Sequence, residues 1–280
     1  VVQALRAGKH VYSAVPMAVS REEISSIIDA VRETGLTYMM GETSYYNPAT
    51  VFARQKLAAG EFGRVFYAEG DYLHDMDLGF YDAYRFSGGA GWKATASYPP
   101  MWYPTHSIGG VLGAIPSHAV SVSCIGVHDE RGDGVFDTEG SFEQLATTSI
   151  WQDKNEAKDV SELIETRPTL SLDDPLLADV SPSLRAAFTS GHAPVHDEDI
   201  VRLPAEFEVA PNGHEGSHQL LVDDFVRAVG AGTLPTVNAW AAARFTLPGL
   251  VAQESALRGG ERLSIPDLGD APVSVGSPLR

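Results

Sequence analysis

The chain has 280 residues, 44% hydrophobic and 20% charged, and its 37 acids against 20 Lys and Arg give a formal charge of −17. That length builds one large domain or two modest ones, and so acidic a surface repels phosphate backbones and anionic lipid, which argues against nucleic-acid and membrane partners. The single cysteine, Cys124, excludes an internal disulfide framework and a Cys-based zinc cluster. No apolar run approaches the roughly 20 residues that span a bilayer, and no cleavable leader pattern is present, so a cytoplasmic protein is expected.

In chain order, Val1, Val2 and Leu5 read as the tail of an amphipathic helix closed by Gly8, which suggests a chain starting inside an element. His10 to Val15 suits a buried strand. Ser20-Arg21-Glu22-Glu23 is a capping box, with Glu23 placed to reach the Ser20 amide. Ile24, Ile27, Ile28 and Val31 then line one helical face, Gly35 ends the helix, and Leu36 to Met40 makes a second strand. Strand, helix and strand in about 30 residues form a βαβ unit with a parallel pair. Asn47 and Pro48 open a helix that ends at Gly60. Arg64 to Tyr72 and His118 to Val127 read as strands, the latter alternating as a one-sided sheet strand does. From Gln152 to Gly216 periodicity fades, as in a surface excursion with one short helix. Ser217 is the expected cap of a helix carrying Leu221, Val222, Phe225, Val226 and Val229. A last helix spans Asn238 to Arg258 with a kink expected at Pro248, and Arg262 to Ile265 closes as a short strand.

Three patterns bear on chemistry. His214-Glu215-Gly216-Ser217-His218 fits H-E-x-x-H, which binds zinc when both histidines share one face of a continuous helix. Here Pro211, Asn212 and Gly213 precede the motif and Gly216 interrupts it, so it straddles a loop and a helix start, and no metal site is expected. His192, His196 and Asp197 read as solvated loop residues. No G-x-G-x-x-G occurs, and Gly88, Gly89 and Gly91 lack the strand-to-helix context that cradles a pyrophosphate. The segment GWKATASYPPMWYPTHS gathers Trp92, Lys93, Trp102, Tyr103 and His106. Such a cluster either holds a polyhydroxylated substrate and moves its proton, or is a core aromatic cluster with a satisfied histidine.

The linked order of GKHVYSAVPMA, TGLTYMMGETSYYNP, LAAGEFGRVFYAEGDYLHD and LVDDFVRAVGAGTLPTVNAW resembles the glucose–fructose oxidoreductase / inositol dehydrogenase / MocA (Gfo/Idh/MocA) family over most of residues 1–150 and 213–270. The resemblance implies an α/β fold class: the remnant of a Rossmann doubly wound domain over residues 1–44, then an α+β substrate-binding and oligomerisation domain with a mostly antiparallel sheet over residues 45–280. It also implies NAD or NADP as cofactor, reversible oxidation of a CH–OH group of a sugar, polyol or related compound, and a homo-oligomer.

Carried over residue by residue, the resemblance makes His106 the general base and Lys93 the group that polarises the substrate oxygen or meets a cofactor phosphate. Pro16, Glu42, Tyr45 and Trp92 fall on the cofactor side, and Tyr103, His74 and His214 on the substrate side. The family's E-K-P motif aligns with Ala14, Val15 and Pro16, so its lysine is absent, and of its D-x-G-x-H pattern only His106 remains. An upstream segment bearing the glycine fingerprint and a stretch of sheet near Asp137 and Thr138 are expected to be missing. The chain as given is therefore expected to be cofactor-deficient. A redox-neutral glycosidase or epimerase, a non-catalytic sugar-binding or assembly domain, and a zinc metalloprotease through HEGSH are the alternatives.

Overall fold

The computed structural model describes residues 1–72, 82, 85–86, 89–91, 101, 103–126, 149–166, 175, 178–179, 191–196, 202–203 and 214–272. Helix α1 (Val2–Arg6) buries Leu5 and ends before Gly8, whose φ of 77° needs no side chain in the way. Strands β1 (Val11–Ser13) and β2 (Tyr38–Met40) pair in parallel, Val11 beside Tyr38 and Ser13 beside Met40. Between them, α2 (Arg21–Thr34) buries Ile24, Ile27, Ile28, Ala30 and Val31. Ser20 Oγ accepts the Glu23 N–H at 3.2 Å, as the capping box requires. The Glu23 carboxylate, however, accepts from the Val19 N–H rather than that of Ser20, one residue beyond its expected reach. Gly35, at φ 67°, closes the helix.

A 3₁₀ turn (Thr43–Tyr46) leads from β2 into α3 (Pro48–Ala58), where Asn47 Oδ1 accepts the Ala49 N–H and Pro48 takes a first-turn position that needs no donor. Helix α4 (Thr105–Ala114) packs on α3 and on that turn. Strand β3 (Ser121–Val122) later pairs antiparallel with a C-terminal strand. A hairpin of β4 (Ile150–Gln152) and β5 (Ala157–Asp159) follows, then the single-turn α5 (Ser161–Ile164). The hairpin docks through Trp151, whose ring meets Phe52 and Phe62 edge-on at centroid distances of 6.2 and 5.1 Å. Helix α6 (Ser217–Ala231) and helix α7 (Ala239–Leu257) precede β6 (Leu263–Ser264), the partner of β3.

One hydrophobic core joins both ends of the chain. Leu5, the buried face of α2 and all of β2 pack with Leu220 and Leu221 of α6 and with Trp240, Phe245 and Leu247 of α7. Asn238 fixes the start of α7, its Oδ1 accepting the N–H groups of Trp240 and Ala241, while its backbone bridges to Met39 at the edge of β2. Helix α7 continues through Pro248 and is buried on nearly every side there, so packing holds together a helix that proline alone would interrupt.

Three expectations need correction. Arg64 to Tyr72 is not a strand: it joins no ladder, and Phe66 and Tyr67 are largely exposed. A strand needs a hydrogen-bonding neighbour, and none lies beside this segment among the described residues. Within His118–Val127 only Ser121 and Val122 join a ladder, extended by the Val120 carbonyl accepting the Ile265 N–H; Val127 lies outside the described residues. The cap of α6 is Gly216 in the left-handed region, and Ser217 is instead the first, buried residue of the helix. The β4–β5 hairpin was not expected at all.

Candidate active site around His106

Strand β2 is fully buried, and the chain leaving it carries Glu42 straight into the interior, where it has no exposed surface. A carboxylate there must find donors or neutralise. Its Oε1 accepts the Ser44 N–H at 2.9 Å and lies 2.7 Å from His106 Nδ1 on the first turn of α4, while Oε2 has no hydrogen-bond partner among the described residues. On the far side of the imidazole, Nε2 lies 3.1 Å from the Tyr103 hydroxyl. Tyr72 stacks obliquely on the ring, 4.6 Å between centroids, and stands 6.0 Å from the ring of Tyr103. Both imidazole nitrogens are thereby engaged, and only 10% of the His106 side chain is exposed.

Two glycines permit this closeness. A Cβ on Gly109 would fall 2.6 Å from Glu42 Cγ, so α4 approaches the carboxylate only because that position is bare. A Cβ on Gly249 of α7 would fall 2.1 Å from the Met101 carbonyl and 2.2 Å from Pro104 Cγ. Helix α7 thus presses directly on the chain that delivers Tyr103 and His106.

A cleft of about 510 Å³ opens beside His106, between α3, α4 and the segment from Phe62 to Asp71. Ser44, Asn47, Thr50 and Ser107 line it from the helical side, and Tyr67, Glu69 and Asp71 from the other. Apolar walls with a few hydroxyl, amide and carboxylate groups suit a small polyhydroxylated molecule.

Pro16 follows β1 through a cis peptide bond and is half-buried. Tyr45 is pinned under Arg54, whose guanidinium lies 4.2 Å from the ring centroid and donates to the carbonyls of Tyr45 and Gly113. Trp92, Lys93 and His74 lie outside the described residues, as do Trp102 and Asp197. His214 sits close enough to feel the charges of His106 and Glu42. Burial, and then His106, lower its pKa, and Glu42 partly opposes them. Its ring faces that of His218 at 4.4 Å. The HEGSH segment is a 3₁₀ turn (His214–Gly216) followed by the start of α6, with His214 at φ 50° and Gly216 at φ 91°. The continuous helix that zinc-protease chemistry needs is therefore broken. Among the described residues no group of three or more His, Cys, Asp or Glu is placed to hold a metal.

His192 and His196, read as solvated, are buried. Burial and then the charge of His192 pull the His196 pKa down to about 4, the Tyr46 backbone opposes them, and Arg54 adds the smallest lowering. The pairing of Glu42 with His106 was also missed. The available signal was a lone acid one glycine beyond the apolar run Tyr38-Met39-Met40, where a buried carboxylate requires a partner.

These residues do not fit a whole dinucleotide. The turn from β1 to α2, Ala14 to Ser20, contains no glycine, and the pyrophosphate-binding fingerprint occurs nowhere in residues 1–280.

No family model matches the sequence. A glycosyl hydrolase family 109 protein from Bacteroides fragilis is 31% identical over 121 residues, which is 42% of this chain and 28% of that protein. A levoglucosan dehydrogenase from Pseudarthrobacter phenanthrenivorans is 27% identical over 124 residues, 44% of this chain and 28% of that enzyme. The matched segments thus span under a third of these curated relatives. The solved structure of an inositol dehydrogenase homologue from Azotobacter vinelandii, complexed with NADH and myo-inositol, superposes over 94% of this chain and 73% of its own, with a TM-score of 0.59 at 14% identity. With its parallel β1–α2–β2 unit and antiparallel pairs beyond, the chain has the fold of the Gfo/Idh/MocA family.

Proposed function

We propose that residues 1–280 carry the substrate side of an NAD(P)-dependent oxidoreductase acting on a CH–OH group of a sugar, polyol or related compound. The observation that carries this reading is the Glu42–His106–Tyr103 array, of which His106 lines an apolar-walled cleft bearing a few polar groups, in this fold. A cofactor, when bound, would supply the hydride acceptor; Pro16 is the residue left to meet its nicotinamide end, with Trp92 as a further contact. Glu42 and Tyr45 are better assigned to holding His106 and α4. Lys93 remains the candidate for polarising the substrate oxygen, and His74 and His214 for contacts to hydroxyl groups. The division at residue 44 and self-association through the surface flanking β3, where Val120 and Ile125 are exposed, belong to the same reading. So does a cytoplasmic setting, which suits the free thiol of Cys124.

The test is saturation-transfer NMR with myo-inositol and levoglucosan at millimolar concentration. Binding by the wild type that is lost in His106→Ala, with the fold retained by circular dichroism, is the expected result. No binding of any polyol by the wild type would contradict the reading.

A second reading is redox-neutral glycoside cleavage. It is favoured by the family 109 relative and by Ala14-Val15-Pro16 standing where the family carries E-K-P. Release of nitrophenol from a nitrophenyl α-N-acetylgalactosaminide would select it, since another matched relative is an α-N-acetylgalactosaminidase.

A further inference from the structure

We propose that the cleft beside His106 takes an amphipathic ligand: an uncharged hydroxylated ring at the His106 end, carrying an alkyl or aryl substituent that lies along the other end against Phe62. The inference rests on the reading that a hydroxylated ring docks at His106, and it names what that ring carries. All three walls of the cleft change from polar to apolar. On α3 and the turn before it, Ser44, Asn47 and Thr50 give way to Ala53 and Leu57. Along α4, His106 and Ser107 give way to Val111, Ala114 and, at its end, Ile115. In the third wall, read back toward α3, Asp71 and Glu69 give way to Val65 and Phe62.

Contacts between the walls put like ends together. Tyr72 stacks on the His106 ring, and a Cβ on Gly70 would fall 2.8 Å from the Ser107 carbonyl, so the polar end of the third wall lies against the first turn of α4. A Cβ on Gly110 would stand 3.7 Å from Thr50 Oγ1 and 4.0 Å from Ser44 Cβ. About one turn further along both helices, Arg54 donates to the Gly113 carbonyl at 2.8 Å. Phe62 follows the end of α3 through a turn in which the Gly60 N–H donates to the Leu57 carbonyl.

The apolar end so formed is not sealed as a core is. Ala53, Leu57, Val111, Ala114 and Ile115 are only half-buried, and Phe62 is 45% exposed although Trp151 braces its ring at 5.1 Å. Apolar surface left open at one end of a cleft favours an apolar group over water. At about 510 Å³ the cleft has the size that takes a drug-sized ligand rather than a bare six-carbon ring. Among the described residues its lining holds the carboxylates of Glu69 and Asp71 and no Lys or Arg, which disfavours an anionic head such as a sugar phosphate.

Calorimetric titration of the whole chain with methyl, butyl and hexyl glucosides, below their micelle-forming concentrations, tests the substituent. Each methylene that enters the apolar end is worth about fourfold in affinity, so butyl glucoside should bind at least about tenfold more tightly than methyl glucoside. Ala53→Leu fills that end with a good helix former and should bring the butyl-to-methyl ratio close to one. Leu57→Gln, which makes the same end polar, should act alike and serves where Ala53→Leu fails to fold by circular dichroism. NOEs from the terminal methyl of butyl glucoside should reach the Phe62 ring, assigned through Phe62→Leu in phenylalanine-labelled protein.

Equal binding of methyl and butyl glucosides, a ratio indifferent to both cleft variants, or methyl NOEs to Tyr72 in place of Phe62 overturns the inference. Glucose 6-phosphate binding more tightly than glucose overturns the uncharged head. If myo-inositol and methyl glucoside bind and lengthening the chain gains nothing, the proposed function stands and the substituent alone falls. Butyl glucoside binding that is indifferent to His106→Ala overturns the placement of the head. No binding of any glucoside or of myo-inositol overturns the proposed function and this inference together.

Discussion

Two regions of this molecule follow different rules. In the first, β1, α2 and β2 pack against α6 and α7, and the residues that touch come from opposite ends of the chain. In the second, among the described residues between Ile150 and His196, a hairpin, one helical turn and a 3₁₀ turn (Pro194–His196) lean on α3, with Trp151 and His196 as anchors. The first region draws its stability from many mutually buried apolar side chains. The second draws it from single side chains docked on a helix that the first region holds. His106 sits at the junction, on α4 between α3 and α7, which is where a rigid scaffold places a site most accurately.

The largest expected effects break the first region. Leu221 is wholly buried, and Leu221→Ala should cost about 3 kcal/mol or more by chemical denaturation. Gly249→Ala should cost about as much, because the new methyl meets the Met101 carbonyl backbone and ring carbons of Pro104, none of which is a flexible side-chain tip. Phe66→Ala, at a residue 95% exposed, should change stability by less than about 0.5 kcal/mol. If Leu221→Ala and Phe66→Ala cost alike, burial in the first region is not what stabilises the fold.

Acid should act next, and on the second region. His196 holds its pKa at about 4 in the fold against 6.5 for the free group. Between those values the unfolded chain binds the extra proton, so stability is complete above about pH 6.5 and falls as pH drops toward 4. The ceiling is a few kcal/mol, at about 1.4 kcal/mol per pH unit. His214 and His218, both shifted down mainly by burial, add in the same direction. A denaturation series from pH 7.5 to pH 4.5 should show the loss, and His196→Phe should flatten it. An unchanged slope would mean that His196 is not the sensor.

Smaller effects sharpen the picture. Asn238→Ala removes the acceptor for two N–H groups at the start of α7 and should cost about 1 kcal/mol. Glu254→Gln breaks a half-exposed pair with Arg21 that links α2 to α7, and should cost under about 1 kcal/mol, less still at high salt. A larger cost for Glu254→Gln than for Asn238→Ala would show that surface charge, not helix initiation, ties these helices together.

What was legible in the sequence follows the same division. The capped helices declared themselves through Ser20, Gly35, Asn47-Pro48 and Asn238, because caps and apolar stripes are local codes. The parallel pair β1–β2 was readable because its crossover helix lies between its strands. Arg64–Tyr72 was misread because strand character in a sequence records only the capacity to pair, and the partner is a matter of the distant chain. The β4–β5 hairpin was missed since its strands are three residues each and β5, Ala-Lys-Asp, is exposed throughout. At the site, His106 stood out through the family motif. The pairing of Glu42 with His106 was not legible because its burial under Gly109 is a tertiary fact that no spacing announces.

Residues 1–280 are proposed to hold the substrate side of the reaction without a complete dinucleotide site. Calorimetric titration of this one protein with myo-inositol and with NADH tests it most directly. Lacking the glycine-rich turn, the chain should bind NADH no more tightly than about millimolar, since every 1.4 kcal/mol of lost contact is about tenfold in affinity. It should bind the polyol saturably in a manner abolished by His106→Ala. Saturable micromolar NADH binding without polyol binding would contradict the account.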